Sequence, residues 1–151
     1  MYNNELEVAK KAEQMLETSL RQKTSTFSDH IKRKEGDTSM KDATAKARVK
    51  QYKSSKSGKI YYMRSISIRM ARHGFIQHFG IDTTRKGGTR TRTKPENKTY
   101  SFKKHLMKMG AKPFINDAID KSGMIQFVME NVTKIRSENL LFEVKKILEN
   151  K

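Results

Sequence analysis

The middle ninety residues of this sequence carry its net positive charge, while its two ends are nearly balanced. Residues 23–112 hold twenty-four lysines and arginines against six carboxylates, while residues 1–22 hold three against four and residues 113–151 hold six against six. A uniform charge excess acts as a solubility device, whereas a segregated one marks a surface that faces polyanion: DNA, RNA or an acidic protein face. At 151 residues and 34% apolar content, the chain fits a single domain over 1–151. That domain has a compact core and polar extensions, some of which order only in an assembly.

The chain has no cysteine, which removes disulfides, thiolate zinc sites and cysteine nucleophiles together. No run approaches eighteen apolar residues, and the opening "MYNNELEVAKKAEQML" is charged and amphipathic with no apolar signal region. The expectation is a protein made and used on the cytosolic side, with no membrane partner.

Leu6, Ala9, Ala12, Leu16 and Leu20 recur at three- and four-residue intervals and predict a helix over 4–22. From 23 to 58 the sequence turns rich in Lys, Ser and Thr, with Phe27, Ile31, Met40, Val49 and Tyr52 as its large apolar residues. That composition reads as a polar basic arm or loop with a short helix near 41–53, or alternatively as a helix with a broad polar face. "KIYYMRSISIRM" alternates, placing Ile60, Tyr62, Arg64, Ile66, Ile68 and Met70 on one strand face and Tyr61, Met63, Ser65, Ser67 and Arg69 on the other. Phe75, Ile76 and Phe79 then fall at helical spacing and Gly80 closes a helical turn or two.

Residues 82–99 read as a basic hairpin or extended loop with "RKGGTRTRTK" at its tip, and Tyr100 and Phe102 lie on one face of a strand after it. "GAKPFINDAIDKSG" predicts a short helix, with Pro113 near its first turn, Asp117 early and Gly123 at its end. In the last segment Val128, Val132, Ile135 and Phe142 share one side of a helical wheel, and Leu140, Leu141, Val144, Ile147 and Leu148 cluster on the opposite side. The second cluster is a candidate subunit interface. A break at "RSEN", giving two helices packed in one core, fits the same pattern. The fold class expected is α+β: a small antiparallel sheet against an N-terminal and a long C-terminal helix, with the basic hairpin and polar arm as extensions.

Chemistry finds little to use here. His73 and His78 are five apart, about 140° on a helix and on opposite faces of a strand, a poor spacing for a shared metal. Asp117 and Asp120 sit early in a short helix, where the dipole favours a carboxylate without any catalytic role. "RKGGTRTRT" lacks the glycine spacing and Gly-Lys-Ser/Thr ending of a phosphate loop. No catalytic residue, cofactor or metal is assigned, and the chain is not read as an enzyme. The better candidate is the hairpin itself, through Arg85, Lys86, Arg90, Arg92, Lys94 and Lys98. The alternation in "TRTRTK" puts Arg90, Arg92 and Lys94 on one side at repeats of about 6.6 to 7 Å, close to phosphate spacing. With no aromatic residue in that stretch, contacts go to the nucleic-acid backbone and ignore sequence; a solvated loop, or a contact with an acidic ring face, fits equally.

Two short boxes carry a resemblance. "HGFIQHFGIDT", with Phe79 and Gly80, and "AKPFINDAID", with Pro113, Phe114, Ala118 and Ile119, resemble the "Glu-Phe-Gly-Thr" and "Pro-Phe-Leu … Ala-Leu" boxes of the tail-completion (head–tail joining, neck) proteins of long-tailed bacteriophages. The likeness covers about residues 57–148, with His78 where that family usually has Glu and with a longer basic insert between the boxes. It implies a small α+β structural virion protein, without catalysis, that forms a homo-oligomeric ring in the phage neck. Its partners would be the portal, connector and tail-tube or tail-terminator proteins, together with packaged DNA through backbone contacts. The chain would be made in the host bacterial cytoplasm and act in the virion. On that reading Phe75, Phe79, Gly80, Pro113 and Phe114 build the core junction. The alternative function is a nucleic-acid-binding protein that contacts DNA or RNA backbone through its basic middle.

Overall fold

A computed structural model describes residues 2–27, 39–54, 58–93 and 95–149. The class is α+β, with N-terminal and long C-terminal helices and small antiparallel sheets. The chain divides into two compact units, Met1–Ala71 with Phe114–Lys151, and Arg72–Pro113.

The first unit is built on helix α1, Glu5–Thr24. The Asn4 side chain accepts from the Glu7 N–H at 3.0 Å, and Glu5 and Glu7 in the first turn, with Arg21 and Lys23 in the last, complement the helix dipole. Val8, Ala9, Ala12, Leu16 and Leu20 are buried along one stripe, so the expected amphipathic face is present. Helix α3, Phe114–Ser122, packs on it: the Ser19 hydroxyl donates to the Ala118 carbonyl at 2.7 Å, and Lys23 meets Asp117 at 3.2 Å. Gly123 then takes φ +62, a conformation open to glycine, and ends α3. Helix α4 runs without interruption from Met124 to Glu149, which settles the alternative of a break at Arg136–Asn139 in favour of one helix.

Strands β1, Thr44–Ser54, and β2, Gly58–Arg69, form an antiparallel hairpin over α1. The arm and short helix expected over 23–58 are thereby corrected for residues 44–54, which form an eleven-residue strand preceded by a single 3-10 turn at Met40–Asp42. Residues 28–38 and 55–57 of that arm lie outside the described residues. The inner side of β1 carries Ala45, Ala47 and Val49, opposite Ile68, Ile66 and Met63. The register steps between Arg48 and Val49, so Arg64 is an extra residue in β2 and the strand faces exchange there. Met63, expected on the opposite face to Ile66 and Ile68, consequently packs with them against the core of Ala12, Leu16, Leu20 and Ala118.

The second unit begins with helix α2, Arg72–Phe79. Gly80 at φ +77 stops it, donating its N–H to the Ile76 carbonyl at 2.8 Å, and a β-carbon there would lie 2.7 Å from the Met109 carbonyl oxygen. Strands β3 (Ile81–Arg85), β4 (Gly88–Arg92), β5 (Lys98–Phe102) and β6 (His105–Met109) follow, with β3 pairing β6 and β4 pairing β5. Arg85 faces His105 and Gly88 faces Phe102, so one register runs through both pairs and the breaks at 86–87 and 103–104 lie opposite one another. The four strands are therefore one two-stranded ribbon, with arms of about 40 Å at roughly 3.3 Å per residue. The expected hairpin is longer than 82–99, and "KGG" is not at its tip. Gly87 and Gly88 sit mid-ribbon, where a β-carbon on Gly87 would lie 3.0 Å from the Lys104 nitrogen and the Phe102 carbonyl oxygen, and the two arms join between Arg92 and Lys98.

Candidate interaction surfaces

Among the described residues, three surfaces expose side chains that ordinarily seek a partner. The first is the outer half of the ribbon. Antiparallel pairing places facing residues on one side of a sheet, so Arg90 with Tyr100 and Arg92 with Lys98 share a face, while Thr89 with Ser101 and Thr91 with Thr99 share the other. The Thr91 and Thr99 hydroxyls lie 2.9 Å apart, consistent with that assignment. The guanidinium groups of Arg85 and Arg90 approach the Phe102 ring, 4.7 and 5.9 Å from its centre. Aromatic groups therefore accompany the cations, which correction follows from pairing: Tyr100 and Phe102 come from the strand across, not from the arginine-bearing one. Lys86 is exposed at the break, and Lys94 lies outside the described residues.

The second surface is the end of α4. Val128 packs against the core and Ile135 is buried, but from Arg136 onward every described side chain is exposed. Leu140, Leu141, Val144, Ile147 and Leu148 are all open to solvent. Phe142, expected on the packed side with Ile135, is 66% exposed, because the unit's core ends before the helix does.

The third is the outer side of the β1–β2 hairpin. Lys46, Arg48 and Lys50 point away from the core, with Ser67, Ser65 and Tyr62 opposite them. Arg64, the extra residue of the bulge, donates to the Tyr52 hydroxyl at 3.0 Å, and the Lys50 ammonium lies 4.8 Å from the centre of the Tyr52 ring. Together Lys50 and then Arg64 hold the Tyr52 phenol below its ordinary value. Tyr52 and Tyr62 meet edge to face at 5.4 Å. The sequence reading missed this surface by treating residues 23–58 as an arm; the signal was the alternation of Lys46, Arg48 and Lys50 with Ala45, Ala47 and Val49.

The five residues proposed for a core junction have different placements. Phe114 is buried in the first unit, with its ring 5.2 Å edge to face from Phe27. Phe75 is half-buried in the second, and Gly80 holds the positive-φ turn. Phe79 and Pro113 do not belong to a core: Phe79 is 73% exposed, since the buried side of α2 is the one that carries Gly74 and His78, and Pro113 is exposed just before α3. His78 is buried and lies edge to face with Phe79 at 4.6 Å, while His73 is exposed, so the two histidines of this stretch do not share a site. Among the described residues no group of three His, Cys, Asp or Glu side chains is placed to hold a metal ion, and no helix is long and apolar enough to cross a membrane. Compared with protein-family models, curated proteins and solved structures, the chain gives no match.

Proposed function

We propose that this protein is a structural component of a tailed-phage virion, a tail-completion or head–tail joining protein that forms a homo-oligomeric ring in the neck. In that role it joins portal and connector to the tail tube or its terminator, is made in the host bacterial cytoplasm and performs no catalysis. The observation that carries the reading is the end of α4, where Leu140, Leu141, Phe142, Ile147 and Leu148 are each more than 60% exposed. Burying a side chain of this kind is worth about 1.5 to 3 kcal/mol, so a neighbouring copy laid over the helix gains substantially. The solvent-exposed ribbon supports the same reading, because a two-stranded hairpin is marginal in water and gains by docking. The two sequence boxes supply the link to the phage neck.

The test is complementation of a phage lacking the gene. Deleting Gly88–Phe102 and joining Gly87 to Lys103 shortens both ribbon arms equally and leaves β3 paired with β6. The expected result is folded protein with no complete particles, and normal yields of infectious particles would contradict the role.

A second reading, nucleic-acid binding in its own right, is favoured by Arg90, Arg92 and Lys98 sharing a ribbon face with Tyr100. A two-stranded ribbon fits the major groove of duplex DNA. That reading expects a monomer with tight, salt-sensitive binding.

A further inference from the structure

We propose that the outer side of the β1–β2 hairpin is a binding site for the phosphate backbone of nucleic acid, distinct from the ribbon and independent of the neck reading. The sequence prepares it: between Asp42 and Asp82 there is no acidic residue. On β1, Lys46, Arg48 and Lys50 occupy alternate positions and are all exposed. Strand geometry spaces such side chains about 6.6 to 7 Å apart in a row.

β2 completes the surface. Ser65 stands across from Arg48, Arg69 across from Thr44, and the bulge adds Arg64 where a regular strand would have no residue to spare. Two adjoining hollows share Arg64: one of about 260 Å³ lined by Tyr52, Tyr62, Met63, Arg64 and Arg136, and one of about 610 Å³ lined by Arg48, Val49, Lys50, Arg64 and Ser65. The Arg136 guanidinium at the rim of the first is already matched by Glu5, but Lys46, Arg48 and Lys50 meet no carboxylate among the described residues. A line of cations with a serine hydroxyl beside it suits a repeated anion, since Lys, Arg and Ser are the side chains that contact phosphate oxygens. Lys50 covers the Tyr52 ring and Arg136 lies 5.7 Å from the centre of Tyr62, so these rings serve the cations and contacts to phosphate predominate over base stacking.

Fluorescence anisotropy of the full chain with a labelled 20-base-pair duplex, and with a 20-nucleotide single strand, across a salt series tests the site. Replacing Lys46, Arg48 and Lys50 with Gln together should weaken binding at least tenfold at low salt and lower the salt slope by about 2 to 3, at roughly 0.9 per lost contact on duplex and 0.7 on single strand. The larger loss identifies the form preferred. An unchanged slope would overturn the proposal. So would complete loss of binding when Arg90, Arg92 and Lys98 are replaced by Gln instead, or polyglutamate binding as tightly as DNA. Acetylation footprinting of the unaltered chain gives the same answer without any variant: Lys46 and Lys50 should be protected at least fivefold by DNA while Lys11 is not. Equal labelling with and without DNA overturns the site.

Discussion

Glu5, in the first turn of α1, and Arg136, midway along α4, form a bidentate ion pair, with Nε meeting Oε1 at 2.8 Å and Nη2 meeting Oε2 at 3.2 Å. Glu5 is 1% exposed and its Oε2 also accepts the Met63 N–H at 2.6 Å, just before the bulge residue of β2. One carboxylate thus ties together two helices and the point where the hairpin changes face. Glu5 in turn holds the Arg136 guanidinium above its ordinary value, so the cation persists at every practical pH.

The two partners differ in what their loss leaves behind. Arg136→Ala strands a buried carboxylate and should cost about 3 kcal/mol. Glu5→Gln leaves a half-exposed guanidinium that water can solvate and keeps an acceptor for Met63, so it should cost about 1 kcal/mol. Urea denaturation measures both, and equal losses would contradict the asymmetry.

Leu16 and Leu141 offer a second contrast. Leu16 is 1% exposed within the core and Leu141 is 68% exposed on α4. Leu16→Ala should lower unfolding free energy by about 3 kcal/mol. In dilute protein Leu141→Ala should change it by less than about 0.5 kcal/mol. A large stability loss from Leu141→Ala under those conditions would mean the helix end is already packed within the monomer.

Gly80→Ala should loosen the second unit specifically. The φ of +77 disfavours any β-carbon, and the one added would meet the Met109 carbonyl and Ala111 backbone at 2.7 and 2.9 Å. Hydrogen exchange should show faster exchange across β3 and β6, with α1 and α4 unchanged. Unchanged protection in β3 would show that the turn does not depend on glycine.

Tyr52 should ionise below the ordinary tyrosine value of 10.0 as pH rises, because Lys50 and Arg64 hold its phenol down. In a phenolate absorbance titration, Tyr52→Phe should remove a phenolate that forms below the ordinary value, and Lys50→Gln should move that group's ionisation to higher pH. A group lowered in the fold contributes stability that is present above pH 10 and is lost as pH falls through its folded-state value, so it contributes nothing at neutral pH. Identical titration of the parent chain and Tyr52→Phe, after allowing for one tyrosine fewer, would contradict the cation cluster.

Much of the scaffold was legible because large apolar residues announced it. Leu16 and Leu20 marked α1, the alternation of Ile66 and Ile68 marked β2, and Gly80 and Gly123 marked two helix ends where the backbone takes positive φ. β1 showed only as the alternation of Lys46, Arg48 and Lys50 with Ala45, Ala47 and Val49, a weak signal because two of the three inner residues are strong helix formers, and strand pairing decided the outcome. The bulge at Arg64 has no signature in residue type and moved Met63 to the other face. In the ribbon, Gly87 and Gly88 suggested a tip, but they lie within a continuous register, and at Gly87 a β-carbon would sit 3.0 Å from the backbone of the opposite strand. Of the candidate sites, the arginine row on β4 was visible in the sequence, whereas its alignment with Tyr100 required the pairing.

The central claim is that the exposed end of α4 is covered by another copy of the chain. Light scattering across a concentration series, on the parent chain and on Leu141→Glu/Leu148→Glu, measures this directly. The account predicts a discrete oligomer of several chains for the parent and a folded monomer for the variant; a parent chain that stays monomeric at every concentration would contradict it.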